Sequence, residues 1–276
     1  MSGASDFTAS ATAHFHDLQG RLCAAFEAFE PQSRFTMRTW SKPQGHRLQG
    51  GGDSRLMRGA VFEKVGVNVS HVWGVLPREA RGQVAGCEAS DGRFVACGLS
   101  LVAHMQNPYV PAVHLNLRYL STSRAWFGGG SDLTPSFPFE QDTQDFHGAL
   151  RGACDAYRAG AYDEFKAWCD RYFYLPHRQE PRGVGGIFFD DLAGADAAAD
   201  FAFVRSVGEA LLQVYPRIVA RRKDTPYDDA ARERLLLKRG RYVEFNLVYD
   251  RGTRFGFSTD ADPDAYLMSL PPLVKW

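Results

Sequence analysis

Two stretches of alternating apolar and polar residues, joined by a proline-containing segment, constrain this chain more than any other feature of its sequence. Successive side chains of a β-strand point to opposite faces, so each stretch predicts a strand with one apolar face. The apolar faces hold Val95, Cys97, Leu99, Leu101 and Ala103 in the first stretch and Val113, Leu115, Leu117 and Tyr119 in the second. The opposite faces hold Gly98, Ser100, Val102 and His104 in the first and His114, Asn116 and Arg118 in the second. The pattern therefore predicts an antiparallel hairpin that packs one face on the core.

The register of this hairpin depends on the connecting segment, residues 106–112, which contains Asn107-Pro108 and Pro111. If the hairpin is centred on Tyr109, His104 lies opposite His114 and Ser100 lies opposite Arg118. The polar face then gathers imidazole, hydroxyl, amide and guanidinium groups.

Two interpretations of that polar face remain open. It is either the solvated outer face of a sheet or a binding and catalytic surface. A solvated strand face is usually built from Thr, Lys and Glu, whereas this one has two histidines, an asparagine, an arginine and no acid.

A glycine-rich segment, WFGGGSDLTP at residues 126–135, is interpreted as a loop that lets backbone approach a ligand. Its Asp132 is either a functional carboxylate or the N-cap of a following helix. No phosphate-binding loop is indicated, because neither a Lys-Ser/Thr pair nor a G-x-G-x-x-G pattern is present. Asp190-Asp191, after the apolar run GGIFF, is either a carboxylate pair or a helix cap.

Four histidines form a second set of candidates. His104, His114, His147 and His177 could ligate a metal, although no HExxH or similarly tight spacing supports a site. Each is equally compatible with an ordinary structural role.

Composition excludes several classes of protein. The 32 basic residues equal the 32 acidic ones, so no overall positive field attracts nucleic acid or an anionic membrane. No apolar run approaches the ~20 residues of a membrane span, and the first residues resemble neither a secretory nor a mitochondrial signal. Five cysteines without a Cys-x-x-Cys pair indicate reduced, buried thiols and a cytoplasmic protein.

The remaining periodicities predict an α+β fold in one domain, 1–276, with a mostly antiparallel sheet. Strands are predicted at 34–40, 61–73, 93–104, 113–120 and 185–189. Helices are predicted at about 8–30, 140–158, 162–174, 197–222 and 226–239, followed by residues 241–250 and a tight turn at Arg251-Gly252.

Several motifs together resemble the oxygen-dependent coproporphyrinogen III oxidase family. They are VFEKVGVNVSHVWG, NPYVPAVHLNLRYL, WFGGGSDLTP, KAWCDRYFYLPHR, GGIFFDDL, RGRYVEFNLVYDRGT and LMSLPPLVKW, in order from about residue 35 to the end. The resemblance implies a large antiparallel sheet flanked by helices on both faces, and a homodimer formed through residues 242–276. It also implies oxidative decarboxylation of two propionates of coproporphyrinogen III to vinyl groups, giving protoporphyrinogen IX with dioxygen as co-substrate.

The same resemblance implies roles for individual residues. Ser100, Asn116, Leu117 and Arg118 match substrate contacts, His114 matches a proton donor, and Asp132 matches an acid that faces the pyrrole nitrogens. Arg182 and Arg251 are further candidates for carboxylate binding, because arginine grips carboxylates through two parallel hydrogen bonds. The four histidines match positions described as metal ligands, with manganese suggested, although no metal or flavin is chemically required.

The chain departs from the family pattern at two places. Asp260-Ala261-Asp262-Pro263 stands where a Gly-Gly-Arg stretch is usual, and Asp145 replaces the first histidine of a His-x-His pair. The radical enzyme with an iron–sulfur cluster is excluded, because its cysteine triplet is missing. A porphyrin-binding carrier without turnover and a His-ligated metalloenzyme remain as alternatives.

Overall fold

The fold is built on a seven-stranded sheet in which every neighbouring pair of strands is antiparallel. The computed structural model describes residues 7–82, 84–258 and 262–276. In sheet order, the strands are β1 (Thr36–Ser41), β2 (Leu48–Met57), β3 (Phe62–Val75), β4 (Arg93–Met105), β5 (Ala112–Ser121), β6 (Ala125–Thr134) and β9 (Gly185–Leu192). Two short strands, β7 (Tyr174–Leu175) and β8 (Glu180–Pro181), pair separately. The predicted α+β class is confirmed.

Alternation of side chains explains why one face of this sheet is buried. The buried residues include Val65, Val67 and Val69 of β3, Leu99 and Leu101 of β4, and Val113, Leu115, Leu117 and Tyr119 of β5. Each large apolar side chain that leaves water contributes about 1.5–3 kcal/mol. These side chains therefore fix which face of each strand points inward.

Helices cover both faces of the sheet, as predicted. The helices are α1 (Thr8–Glu27), α2 (Arg78–Arg81), α3 (Glu140–Tyr157), α4 (Ala161–Tyr172), α5 (Ala197–Arg222), α6 (Asp229–Val248), α7 (Arg251–Ser258) and α8 (Pro263–Tyr266). Helices α1, α3 and α5 pack with the apolar face in one continuous core. The polar face contacts α6 and the C-terminal segment, defined here as α8 together with the 3-10 turn Leu267–Ser269 and Leu270.

Three predicted elements are corrected by the structure. The WFGGGSDLTP segment is strand β6 between β5 and β9, so Asp132 lies in a strand and does not cap a helix. Residues 48–57, where no strand is predicted, form β2. Helix α6 continues to Val248, and Arg251-Gly252 begins α7 instead of forming a tight turn.

The predicted hairpin register is wrong by two residues. Ser100 pairs with Asn116, and Arg118 pairs with Gly98. The connection is not symmetric about Tyr109, because Asn107 donates to the carbonyls of Lys223 and Thr225 just after α5. Since the error is an even number of residues, every side chain remains on its predicted face.

The predicted burial of the cysteines is confirmed: Cys23, Cys87, Cys97, Cys154 and Cys169 are all buried, and they form no disulfide bond in the described ranges. No helix in the described ranges is long and apolar enough to cross a membrane.

Candidate active site

The polar face of the sheet gathers side chains from adjacent strands into ladder rows. One row contains His114 of β5 opposite Asp132 of β6, and the next contains Ser100 of β4 opposite Asn116. Asp132 therefore reaches His114 because the two residues are directly paired, not because a loop delivers it.

Three of the predicted substrate contacts are joined by hydrogen bonds. Asn116 donates through Nδ2 to Ser100 Oγ at 2.6 Å, and Arg118 donates to Asn116 Oδ1 at 3.0 Å. The amide of Asn116 thus fixes the hydroxyl on one side and the guanidinium on the other.

His114 and Asp132 form a hydrogen-bonded pair. Nδ1 of His114 lies 2.9 Å from Oδ1 of Asp132; the His114 side chain is 23% exposed and that of Asp132 only 2%. An ionised carboxylate only accepts hydrogen bonds, so Nδ1 of His114 carries the proton of this contact. Nε2 of His114 has no hydrogen-bond partner within the described part of the chain.

Arg182 compensates the buried charge of Asp132. It donates to Asp132 Oδ2 at 2.6 Å and to Asn246 Oδ1 at 3.0 Å, and its side chain is 2% exposed. Burial alone would raise the pKa of Asp132, but the adjacent Arg182 and the hydrogen bond with His114 outweigh it and hold that pKa below its usual value. Asp132 is therefore ionised at neutral pH.

Aromatic rings surround the guanidinium of Arg182. Its central carbon lies 4.0 Å from the ring centroid of Phe173, 4.5 Å from that of Tyr242 and 4.8 Å from that of Phe245. Such contacts stabilise a desolvated cation by up to about 2 kcal/mol each.

A second charged group occupies the edge of the same face. Asp190 of β9 lies 2.9 Å from Arg118 and 2.6 Å from Arg251, so one carboxylate bridges two arginines. A Cβ added at Gly128 would lie 2.5 Å from Asp190 Oδ1 and 2.7 Å from Arg118 Nε. The glycine of β6 is therefore what lets this ion pair lie close against the strand.

The C-terminal segment covers the β3 side of the face. Asn68 and Lys64 of β3 donate to the carbonyls of Ala265 and Leu270. Burial of Lys64 lowers the pKa of its ammonium to about 8. Met268 fills the space beside Gly66, where an added Cβ would meet its sulfur at 2.3 Å. The open part of the face is thereby limited to the rows that contain Ser100, Asn116, His114 and Arg118.

Three of the four candidate metal ligands contact protein groups other than the remaining candidates. Nε2 of His104 contacts the carbonyl of Ser269, and burial lowers the pKa of this histidine to about 3. His147 contacts the carbonyl of Val184 and the hydroxyl of Tyr162. His177 contacts Tyr249 and Glu244.

These positions do not fit a shared metal site. Among residues 7–82, 84–258 and 262–276, no group of three or more His, Cys, Asp or Glu side chains is arranged to hold a metal ion. The prediction that His104, His114, His147 and His177 act together as ligands is not supported by their placement.

The positions of the Leu117 and Arg182 side chains differ from those expected of substrate contacts. The side chain of Leu117 lies in the core and does not reach the polar face, so its predicted contact with substrate is wrong for the side chain. Arg182 is committed to Asp132 and Asn246, and its predicted contact with a substrate carboxylate stays a prediction that this arrangement does not favour.

Only part of the unusual stretch Asp260-Ala261-Asp262-Pro263 lies within the described residues. Asp260 and Ala261 lie outside the described residues. Asp262 is described: it caps α8 and forms an ion pair with Arg38. Asp145, the other departure, pairs with Arg221 of α5.

Comparison with known proteins identifies the family of this chain. Residues 10–276 match the family model described as Coproporphyrinogen III oxidase. The chain belongs to the coproporphyrinogen III oxidase family. Oxygen-dependent coproporphyrinogen-III oxidases of Rickettsia bellii, Rickettsia africae and Rickettsia akari are each 50% identical over 271 residues, covering 95% of this chain and 95% of the relative.

Sequence reasoning missed the residues that support the two charged groups. Asn246 and the aromatic residues Phe173, Tyr242 and Phe245 lie in helices or next to them, and their apolar periodicity indicates only packing. Asp190 was noticed as part of a carboxylate pair, but nothing in the sequence indicates that it bridges Arg118 and Arg251.

Proposed function

We propose that this protein is an oxygen-dependent coproporphyrinogen III oxidase of heme biosynthesis, which converts two propionates of its substrate to vinyl groups and yields protoporphyrinogen IX. The observation that carries the proposal is the family match over residues 10–276. The polar face supports it, because exposed cations and a His–Asp pair share one surface.

The proposed reaction balances without another oxidant. Each propionate, with one dioxygen and one proton, gives a vinyl group, carbon dioxide and hydrogen peroxide. The C–C bond to the carboxylate and one C–H bond break, and two electrons pass to dioxygen. The protein must therefore bind a carboxylate, hold the side chain near dioxygen and supply protons.

Two parts of the site suit these tasks. Arg118 and Arg251 present guanidinium groups on the exposed side of the face, where they can bind propionates in bidentate fashion. His114, with Nδ1 held by Asp132, can donate a proton through Nε2 to an anion derived from dioxygen. Asp132, kept ionised by Arg182, stabilises the imidazolium between transfers.

Replacement of Arg118 by Ala should reduce kcat/KM by about 10–150-fold, because a charge-assisted contact worth about 1.5–3 kcal/mol is lost. Steady-state kinetics with coproporphyrinogen III measure the effect. Arg124→Ala is a suitable control, since Arg124 is exposed and pairs with Asp191 instead of Asp190. Near-unchanged kinetics in a folded Arg118→Ala protein would remove Arg118 from the site.

We further propose that dioxygen is the co-substrate and that catalysis needs no resident metal or flavin. A porphyrinogen is electron-rich enough to reduce dioxygen directly. His104, His147 and His177 each contact another protein group through at least one ring nitrogen. Exhaustive chelation should therefore leave kcat within about twofold. A loss restored by manganese would favour the His-ligated metalloenzyme instead.

A porphyrin carrier without turnover is the alternative of a different class. Incubation of coproporphyrinogen III with the protein under air and under argon separates the two. The oxidase consumes substrate only under air, whereas a carrier binds it equally in both atmospheres without forming product.

Homodimer formation is part of the same proposal. Exposed apolar side chains lie on α6 and near the C-terminal end, within or close to the predicted contact region 242–276: Leu237, Leu247, Val248, Leu273 and Trp276. A second copy of the chain would cover them, and light scattering should give twice the mass of one chain. The five buried free cysteines support a cytoplasmic location.

A further inference from the structure

Asp190 stands out because it faces the site with a charge opposite to the one that the site needs. A cleft for a substrate with several carboxylates is expected to exclude acids, yet Asp190 contacts both exposed arginines. Its side chain is 18% exposed, against 27% for Arg118 and 57% for Arg251.

The contacts of Asp190 resemble those of a bound carboxylate. Oδ1 lies 2.9 Å from Arg118 and Oδ2 lies 2.6 Å from Arg251. The contact to Arg118 is an ion pair without good hydrogen-bond geometry, since Oδ1 is buried and has no hydrogen-bond partner within the described residues. Arg118 also keeps its hydrogen bond to Asn116 Oδ1, so this cation can stay in place while another anion takes the position of Asp190.

Both arginines also flank one aromatic ring. Their guanidinium carbons lie 5.8 Å and 5.7 Å from the centroid of Phe188, which itself stacks on Tyr172. Because Gly128 has no Cβ, Asp190 and Arg118 meet close against β6, and an anion that displaces Asp190 can meet Arg118 at the same position.

We propose that Asp190 is an internal competitor for a substrate carboxylate: it occupies Arg118 and Arg251 in the empty site, is displaced by a propionate, and returns when that propionate has been lost. This inference rests on the proposed function. The carboxylate of Asp190 stays ionised at neutral pH because the neighbouring arginines outweigh the effect of burial and lower its pKa.

The consequence is selectivity between substrate and product. Two arginines with one internal carboxylate carry a net single positive charge, which one propionate neutralises. After decarboxylation the vinyl group cannot compete, so Asp190 re-forms its ion pairs and favours release of the product. Asp190 thus determines specificity through the arginines and does not need to touch the reacting atoms.

Asp190→Asn tests the inference by the sign of its effect on binding. The unreactive tetracarboxylate coproporphyrin III should bind on the order of tenfold more tightly, since the competing charge is gone. Protoporphyrin IX, with two carboxylates, should change less than about threefold. Fluorescence titration of wild type and variant measures both affinities.

The chain provides a matched control in the next residue. Asp191→Asn removes a carboxylate whose ion-pair partner in the described part of the chain is the exposed Arg124, and asparagine tolerates the positive φ of 53° found there. Its affinities should stay within about twofold of wild type. Adding Arg251→Ala to Asp190→Asn should abolish the gain in affinity for coproporphyrin III, because the guanidinium that Asp190 no longer occupies is then missing.

An Asp190 that merely holds the arginines in place gives the opposite sign. If folded Asp190→Asn binds coproporphyrin III no more tightly than the wild-type protein, the inference about Asp190 is wrong. The proposed function still stands in that case, provided that the wild-type protein turns over coproporphyrinogen III. Absence of both binding and turnover in the wild-type protein would overturn the two together.

Discussion

Asp132→Asn is expected to lower kcat by about 100–10,000-fold while changing the affinity for coproporphyrin III by less than about threefold. Asp132 accepts from His114 with one oxygen and from Arg182 with the other. An asparagine has one acceptor oxygen, which Arg182 takes. Its NH2 group then faces Nδ1 of His114 as a second donor, so Nδ1 can no longer carry a proton. The imidazolium that donates through Nε2 therefore loses both its hydrogen-bond acceptor and its stabilising negative charge.

Single-turnover rates and porphyrin titrations measure the two effects separately. Because Asp132→Asn leaves Arg182 without its anion, thermal unfolding must show that the variant is folded at the assay temperature. The double variant Asp132→Asn/Arg182→Met is the control, since it removes both charges and should remain inactive despite recovered stability. Equal losses in binding and turnover would reduce Asp132 to a group that positions substrate.

Arg182→Met is expected to lower the free energy of unfolding by about 3–5 kcal/mol, which is a drop in Tm on the order of 10 °C. Methionine fills much of the space among Phe173, Tyr242 and Phe245, so the loss is mainly electrostatic. The buried carboxylate of Asp132 is left without a compensating cation.

The pH dependence of this loss identifies its cause. In the native protein the pKa of Asp132 lies below its usual 3.8, so its charge stabilises the fold above that value and ceases to do so as pH falls through the lower pKa. Without Arg182, burial raises the pKa of Asp132 above its unfolded value. The destabilisation of Arg182→Met should then be largest at neutral pH and shrink toward about pH 5, as the carboxyl binds a proton.

Urea unfolding of wild type, Arg182→Met and Asp132→Asn/Arg182→Met at both pH values tests this account. The double variant should recover most of the stability at neutral pH, because no unpaired charge remains buried. A loss that is independent of pH, or that persists in the double variant, would assign the effect to packing around the three rings.

The sequence predicts which residues lie on the polar face, because the alternation of side chains along a strand does not depend on the conformation of the turn. Ser100, Asn116, Arg118 and His114 share a face in any register that differs by an even number of residues. The register itself was mispredicted, since Asn107 is tied to the chain beyond α5 by a contact more than 100 residues away in sequence. No local pattern carries that information.

Strand β6 was mistaken for a loop for a related reason. Its glycines have no side chains, so they do not show the apolar–polar alternation by which a strand is recognised. At Gly128, the missing side chain leaves room for Arg118 and Asp190, which are distant in sequence. The pairing of Asp132 with Arg182 joins residues 50 positions apart and depends on how β9 and the preceding segment return to the sheet. Ion pairs of this kind depend on the order of strands in the sheet, and the spacing of residues along the sequence does not reveal them.

The stoichiometry of the reaction tests the central claim most directly. The purified protein is given coproporphyrinogen III labelled in its propionate carboxyl carbons, and released carbon dioxide and consumed dioxygen are measured together. Our account predicts two carbon dioxide molecules per substrate under air and none under argon, with dioxygen uptake matching the release. No release under air, or equal release under argon, would contradict it.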